Sequence, residues 1–224
     1  MDIASYIDHT LLKPDLLRSA IQKLCDEAKQ YNFAAVCVPP HFVREAKKET
    51  AASAVKVVTV IGFPFGYSVI EAKLAEVLSA ITDGADELDM VINIIALKNN
   101  DWEYLSREIK PVVQIIREKG KILKVIIESG ILTDREIIKC CKLYGESGVD
   151  YLKTSTGYAE KNVTVEAVKF IRRHLPDSVR IKASGGIRSY DFAKQLIDAG
   201  ADRLGCSSGV AIMEGAAAGL QGNY

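Results

Sequence analysis

Asp83-Gly-Ala-Asp-Glu-Leu88 recurs, with its pattern kept, as Ser147-Gly-Val-Asp-Tyr-Leu152 and Ala199-Gly-Ala-Asp-Arg-Leu204. In each copy a glycine ends a helix in left-handed geometry and the chain then enters a strand. Gly84 and Gly148 are 64 positions apart, Gly148 and Gly200 are 52 apart, and each gap holds two strand–helix units. Short apolar runs predict strands at Tyr6–Leu11, Ala34–Val38, Val55–Ile61, Glu87–Ile92, Ile122–Glu128, Tyr151–Lys153, Arg180–Ala183 and Arg203–Cys206. Helical periodicity covers Leu16–Ala28, Ile70–Ile81, Trp102–Glu118, Asp134–Leu143, Val165–His174 and Tyr190–Ile197. Capping-box spacings, Ser68-Val-Ile-Glu71 and Thr133-Asp-Arg-Glu136, mark two of the helix starts. Eight units in 224 residues take 28 residues each, close to the roughly 30 of a βαβ unit. The fold class is therefore α/β, a single-domain TIM (β/α)8 barrel spanning residues 1–224. An open doubly wound sheet is the alternative; against it, no G-x-G-x-x-G follows the first strand. No linker, low-complexity tract or composition break suggests a second domain.

Composition narrows the function. Apolar residues at 48% can fill a large core. Twenty-nine basic and 29 acidic residues cancel, so no global field favours nucleic acid or a membrane surface. No apolar segment reaches the roughly 18 residues of a membrane span, and Met1-Asp-Ile-Ala-Ser-Tyr lacks the features of a signal peptide. Five cysteines without CxxC spacing read as reduced thiols in a cytoplasmic protein. The three histidines, at 9, 41 and 174, show no ligand spacing, so no histidine-bound metal is expected.

Barrel active sites sit at the C-terminal ends of the strands. Near those ends fall Asp8, Asp89, Lys124, Lys153 and Lys182. Fully ionised, they carry three positive and two negative charges, and a pocket of low dielectric resists that imbalance by deprotonating one lysine. Lys124 is expected to face Asp89 on the neighbouring strand, and Asp8 to reach Lys182 across the narrow eighth strand. Lys153 is left with no evident carboxylate and two cationic neighbours, the setting that exposes an amine lone pair. The bland alternative is a set of compensating ion pairs with Lys153 extended to water.

Anion binding is predicted after the last two strands. Ser184-Gly-Gly-Ile-Arg188 and Cys206-Ser-Ser-Gly209 stand where barrels commonly hold phosphate. Gly185 and Gly186 would let N–H groups approach, Ser207 and Ser208 would add hydroxyls and Arg188 charge. Thr154, Ser155, Thr156 and Gly157 form a polar rim after Lys153 that could bind substrate hydroxyls or an ordered water, or is simply a hydroxyl-rich turn.

Five segments in order carry a resemblance: Asp8-His-Thr-Leu-Leu-Lys-Pro14, Glu87-Leu-Asp-Met-Val91, Leu123-Lys-Val-Ile-Ile-Glu128, Leu152-Lys-Thr-Ser-Thr-Gly157 and Ile181-Lys-Ala-Ser-Gly-Gly-Ile-Arg188. Together they resemble the deoxyribose-phosphate aldolase family from Asp8 to about Ser208. The resemblance implies reversible cleavage of 2-deoxy-D-ribose 5-phosphate into glyceraldehyde 3-phosphate and acetaldehyde through a Schiff base, with no metal or cofactor. It implies that Lys153 is the Schiff-base lysine, that Lys182 perturbs it and shares in proton transfer, that Asp89 exchanges protons with help from Lys124, and that Asp8 holds Lys182. The implied partners are a phosphosugar and an aldehyde, with self-association left open. Some relatives carry a basic residue after the Thr-Gly of the Lys153 loop; here it is Tyr158, so phosphate charge must come from Arg188 or from N–H groups.

Other residues read as structural or ambiguous. Cys37 closes the second strand as a small buried hydrophobe or a pocket thiol open to alkylation. His9 should point away from Asp8. Phe63-Pro-Phe-Gly66 walls the site or closes the core. Gly215–Tyr224 reads as a small, flexible tail whose Tyr224 either frays or folds over the site as a proton relay. Two competing functions remain: a Schiff-base lyase or transaldolase acting on another phosphosugar, and a non-catalytic phosphosugar-binding barrel.

Overall fold

The computed structural model describes residues 2–221. Among these described residues, eight strands alternate with nine α-helices. The strands are β1 (Ile7–Thr10), β2 (Ala35–Val38), β3 (Lys56–Ile61), β4 (Glu87–Val91), β5 (Ile122–Ile126), β6 (Tyr151–Lys153), β7 (Arg180–Ser184) and β8 (Arg203–Cys206). The helices are α1 (Arg18–Gln30), α2 (Val43–Glu49), α3 (Ile70–Thr82), α4 (Ile94–Lys98), α5 (Trp102–Glu118), α6 (Asp134–Ser147), α7 (Val165–His174), α8 (Tyr190–Asp198) and α9 (Gly209–Gln221). Each strand pairs in parallel with the next, and β1 pairs with β8 through Ile7–Leu204 and Asp8–Gly205, so the sheet closes. That pairing rules out the open sheet. The fold is a TIM barrel.

The recurring Gly-x-Asp works at the N-terminal end of the barrel. Gly84, Gly148 and Gly200 have φ of 104°, 80° and 108°, conformations that cost a residue with a Cβ. Two residues on, the aspartate brackets the preceding strand. Asp150 N–H donates to Leu123 O at 3.1 Å, and its Oδ2 accepts Leu123 N–H at 2.8 Å. Asp86 does the same with Val57 and Asp202 with Ile181. The repeat thus ties β3 to β4, β5 to β6 and β7 to β8.

Alternation along the strands divides the buried residues into two sets. Residues such as Val36, Leu88, Met90, Leu123, Val125, Leu152, Ile181 and Leu204 face outward and pack with Leu24, Val77, Ile109, Ile116, Ile171 and Leu196 of the helices. Inside the barrel, a small apolar cluster is confined to Ala35, Cys37, Val58 and Val60 of β2 and β3. Apart from Val91, Ile126 and Tyr151, the rest of the interior is polar or charged, which a packed barrel core does not require.

Three helices escape the sequence reading. α2 and α4 have seven and five residues, too few for a period to show. α9 runs through Gly215–Gln221, where a flexible tail is expected. Its glycines suggest flexibility, but alanine is the best helix former, and fully buried Ile212 anchors the start. Tyr224 lies outside the described residues. The Thr133–Glu136 capping box forms, whereas Ser68 does not cap: Val69 occupies the N-cap of α3, one residue out of register with Ser68–Glu71. His9 points outward to Glu27 of α1, with Nε2 and Oε2 2.8 Å apart.

Candidate active site

Strand register sets the side chains that meet inside the barrel. Asp89 stands opposite Lys124 between β4 and β5, and Lys153 opposite Lys182 between β6 and β7. Asp89 is the hub. Its Oδ2 accepts from Lys153 Nζ at 2.8 Å and from Lys182 Nζ at 2.7 Å, and its Oδ1 accepts from Lys124 Nζ at 3.1 Å. Lys182 Nζ also donates to Asp8 Oδ2 at 2.5 Å. All five side chains are buried. The Lys124–Asp89 and Lys182–Asp8 pairs are those the strand order predicts. The expectation that Lys153 lacks a carboxylate is corrected: Asp89 reaches it from β4, with only β5 between their strands.

Two further charged residues lie one layer below. Arg203 Nη1 is 2.7 Å from Asp8 Oδ1, and its Nη2 is 3.5 Å from Glu87 Oε1. Glu87 also forms an ion pair with Lys124. The Tyr151 ring lies beneath Lys124 at 5.7 Å, Arg203 at 5.9 Å and Arg180 at 4.2 Å, offering its negative face to all three. Reading only the C-terminal strand ends misses Glu87 and Arg203. The available signal was alternation: Glu87 is two residues before Asp89, and Tyr151 two before Lys153.

With these residues the interior holds four cations (Lys124, Lys153, Lys182, Arg203) against three carboxylates (Asp8, Glu87, Asp89), an excess of one positive charge. The protonation directions show where the excess falls. Burial pushes the Lys153 ammonium below its ordinary pKa; Asp89 pulls it back, Lys182 pushes it down again, and the net is downward. Burial acts on Lys182 too, but Asp8 and Asp89 outweigh it and raise its pKa. Lys124 is raised as well, Asp89 leading against burial. For Asp89, burial is outweighed by Lys124, Lys153 and Lys182, which hold it well below the carboxylate range. Cys37 faces this interior, and burial raises its thiol pKa, which favours the unreactive form.

Above Lys153 opens a cleft of about 420 Å³. Thr156, Gly157, Gly185, Gly186, Arg188 and Ser207 line it with Lys153, as the sequence predicts. Gly186 has φ 76°, and a Cβ there would lie 2.6 Å from Asn162 Cγ, so the loop can take this path only with glycine. Three expected members do not line it, and one of them, Ser155, is buried with its Oγ donating to Thr154 Oγ1 at 3.3 Å. Thr154 follows inward-facing Lys153 and points the other way; it is fully buried, its Oγ1 donating to Ser184 O and accepting Ser184 N–H. Ser208 does not line the cleft, and its carbonyl accepts Ile212 N–H in the first turn of α9.

Lys13 and Asn162 line the cleft without a sequence signal beyond their charge and polarity. Lys13 joins Arg188 as a second cation at the mouth. Tyr158 packs edge-on to Phe63 at 5.4 Å and donates from Oη to Leu12 O at 2.9 Å. The Phe63–Gly66 loop walls a neighbouring apolar cleft that shares Leu12 and Tyr158 with the first. Among the described residues, no cluster of three or more His, Cys, Asp or Glu side chains could hold a metal ion, and no helix is long and apolar enough to cross a membrane.

The family described as DeoC/LacD family aldolase matches residues 3–221. The deoxyribose-phosphate aldolase of Thermococcus gammatolerans is 52% identical over 218 residues, covering 96% of this chain and 97% of that protein. That of Streptococcus gordonii is 49% identical over 224 residues, covering 100% of both. Among solved structures, the tetrameric deoxyribose phosphate aldolase of Aeropyrum pernix superposes with a TM-score of 0.88 at 33% identity, covering 95% of this chain and 89% of that one.

Proposed function

The chain belongs to the DeoC/LacD family of aldolases, and on that premise we propose that Lys153 forms the Schiff base through which it cleaves a sugar phosphate. The reaction is that of a deoxyribose-phosphate aldolase, an aldehyde-lyase of deoxyribose phosphate catabolism. It reversibly converts 2-deoxy-D-ribose 5-phosphate to D-glyceraldehyde 3-phosphate and acetaldehyde. One observation carries the assignment of Lys153: of the three interior lysines, it alone lines the cleft and it alone has a lowered pKa.

The chemistry follows from these groups. Neutral Lys153 adds to C1 of the open-chain sugar phosphate, and loss of water leaves an iminium. The proton on the C3 hydroxyl departs, the C2–C3 bond breaks, and its electron pair flows into the iminium as an enamine. Glyceraldehyde 3-phosphate leaves. Protonation of the enamine carbon and hydrolysis of the new iminium release acetaldehyde and free Lys153. The iminium is the electron sink.

Asp89, 2.8 Å from Lys153 Nζ, relays protons between the amine, the departing water and the substrate hydroxyl. Three lysines hold it ionised, so it acts with them and not as an isolated strong base. Lys182 biases Lys153 toward the neutral amine and shares in the relay; Asp8 anchors Lys182, and Lys124 anchors Asp89. Gly185, Gly186 and Ser207 offer N–H groups to the phosphate, with charge from Arg188 and Lys13.

The same reading takes residues 1–224 as one barrel domain in the cytoplasm, supported by five free, buried cysteines. Self-association is part of it, supported by the tetrameric Aeropyrum relative and by exposed Leu17, Phe65, Tyr67 and Val69.

Borohydride reduction in the presence of acetaldehyde, followed by peptide mass mapping, tests the proposal. An N-ethyl group on Lys153 is the expected result. Its appearance on another residue, or its absence, defeats the assignment and returns the barrel to phosphosugar binding alone.

A further inference from the structure

Glu128 follows β5 and is 3% exposed. Its φ of 54° lies in the left-handed region, which few residues other than glycine occupy without a reason in the surrounding structure. What holds it there is Thr156, three residues after Lys153. Glu128 Oε2 accepts Thr156 N–H at 3.1 Å and also the Thr156 hydroxyl hydrogen. Tyr158 N–H in turn donates to Thr156 Oγ1 at 3.1 Å.

A threonine hydroxyl has one hydrogen and two lone pairs. Here the hydrogen is committed to Glu128 and one lone pair to Tyr158. What Thr156 offers the cleft is the remaining lone pair, and its backbone N–H is spent as well. The rest of the cleft lining is rich in donors: the adjacent Gly185–Gly186 loop, Ser207, Arg188 and Lys13. A phosphate group only accepts, whereas a sugar hydroxyl can donate.

We infer that Glu128 is a positioning residue that fixes the polarity of Thr156, so that the cleft receives a sugar hydroxyl at Thr156 and the phosphate at the β7 and β8 loops. The inference rests on the aldolase reading above and deepens it by giving the sugar a direction. It follows that Thr156 binds no phosphate, and that Tyr158 N–H, already donated to Thr156 Oγ1, is not among the phosphate donors.

The test compares 2-deoxyribose 5-phosphate with unphosphorylated 2-deoxyribose as substrates, and measures borohydride trapping of acetaldehyde in the same preparations. Glu128→Gly removes the carboxylate and tolerates the backbone conformation; Thr156→Val removes the hydroxyl. Glu128→Gln keeps a carbonyl oxygen that must face Thr156, because Thr156 N–H is a donor. For the first two variants, kcat/KM should fall by roughly 3- to 10-fold, and by the same factor for both sugars. Acetaldehyde trapping should be unchanged, and Glu128→Gln should stay near the unmodified enzyme. A loss confined to the phosphorylated sugar would mean that Thr156 contacts phosphate, and would overturn the inference. So would a parallel loss of trapping, which marks general damage to the loop, or a Glu128→Gln variant as impaired as Glu128→Gly. Should the unmodified protein cleave neither sugar and trap no acetaldehyde, the aldolase reading itself is what fails.

Discussion

Lys182 Nζ lies 2.5 Å from Asp8 Oδ2, although its strand and that of Asp8 are separated by β8. The contact exists because Gly205 is the residue paired with Asp8 on β8. A Cβ at Gly205 would sit 3.0 Å from Lys182 Cε, in the path the lysine takes. One missing side chain lets Lys182 spend its charge on Asp8 as well as Asp89, and this separates it from Lys153, which has Asp89 alone.

Asp8 should therefore carry a pH-dependent share of stability. Burial raises its pKa, but Lys182, Arg203 and Lys124 outweigh it and hold the carboxyl at about 2, against an ordinary 3.8. The unfolded chain binds the proton first, so this stabilisation is complete above the ordinary value and is lost as pH falls toward 2. It amounts to about 2 kcal/mol. Urea unfolding of Asp8→Asn beside the unmodified protein should show a gap in stability at pH 6 that narrows by about that amount at pH 2. A gap that does not change with pH would contradict the assignment.

Lys153 and Lys182 should respond in opposite ways to removal. The folded protein disfavours the Lys153 ammonium, so at neutral pH, below the lysine's ordinary value, folding works against its charge. Lys153→Met removes the amine on which that cost falls, and the thermal midpoint should rise by a few degrees while turnover and acetaldehyde trapping vanish. Lys182→Met deprives Asp8 and Asp89 of a shared cation and should lower the midpoint, because a buried charge left short of partners is costly. Calorimetry of both variants decides it; the same sign of shift in both would refute the charge count.

At the other end of the barrel, Asp150 should matter for stability alone. It makes two reciprocal hydrogen bonds with Leu123, far along β5 from the cleft. Asp150→Ala leaves a strand N–H without its acceptor and should cost about 1–3 kcal/mol in denaturant unfolding, with kcat and KM unchanged. A changed KM would show that the bracket reaches the site.

The barrel and its charged hub were legible in the sequence because both follow from periodicity. The Gly-x-Asp repeat phases the units, and alternation along each strand names the inward residues. The reading faltered where one position depends on another strand. Glu87 and Arg203 are ordinary charges at the starts of strands until closure sets them beside Lys124 and Asp8. Lys153 seemed unpaired because Asp89 reaches it from β4, past β5. Thr154 looked equal to Thr156, yet Thr154 comes next to inward-facing Lys153 and turns to Ser184 of β7, whereas the chain has left the strand by Thr156 and brings it to the cleft. Helices α2 and α4 were too short to show a period, and α9 was hidden by its glycines.

At the phosphate end of the cleft position 158 is an uncharged tyrosine, and salt dependence should expose how the phosphate charge is met. Arg188 and Lys13 are exposed cations lining the cleft, so their attraction for a phosphate dianion is screened within about 8 Å at physiological ionic strength. Lys13→Met and Arg188→Met should each raise KM for 2-deoxyribose 5-phosphate by roughly 2- to 5-fold at low salt, an exposed charge being worth about 0.2–1 kcal/mol. The effect should shrink as salt is added, and kcat should hold because neither residue bonds to Lys153 or Asp89. Tyr158→Lys should lower KM in the same assay. Tyr158→Phe, which loses only the bond to Leu12 O, controls for disturbance of the loop. If both cation variants left KM unchanged at low salt, the N–H groups of the β7 and β8 loops would hold the phosphate unaided, and the absence of a basic residue at position 158 would need no compensation.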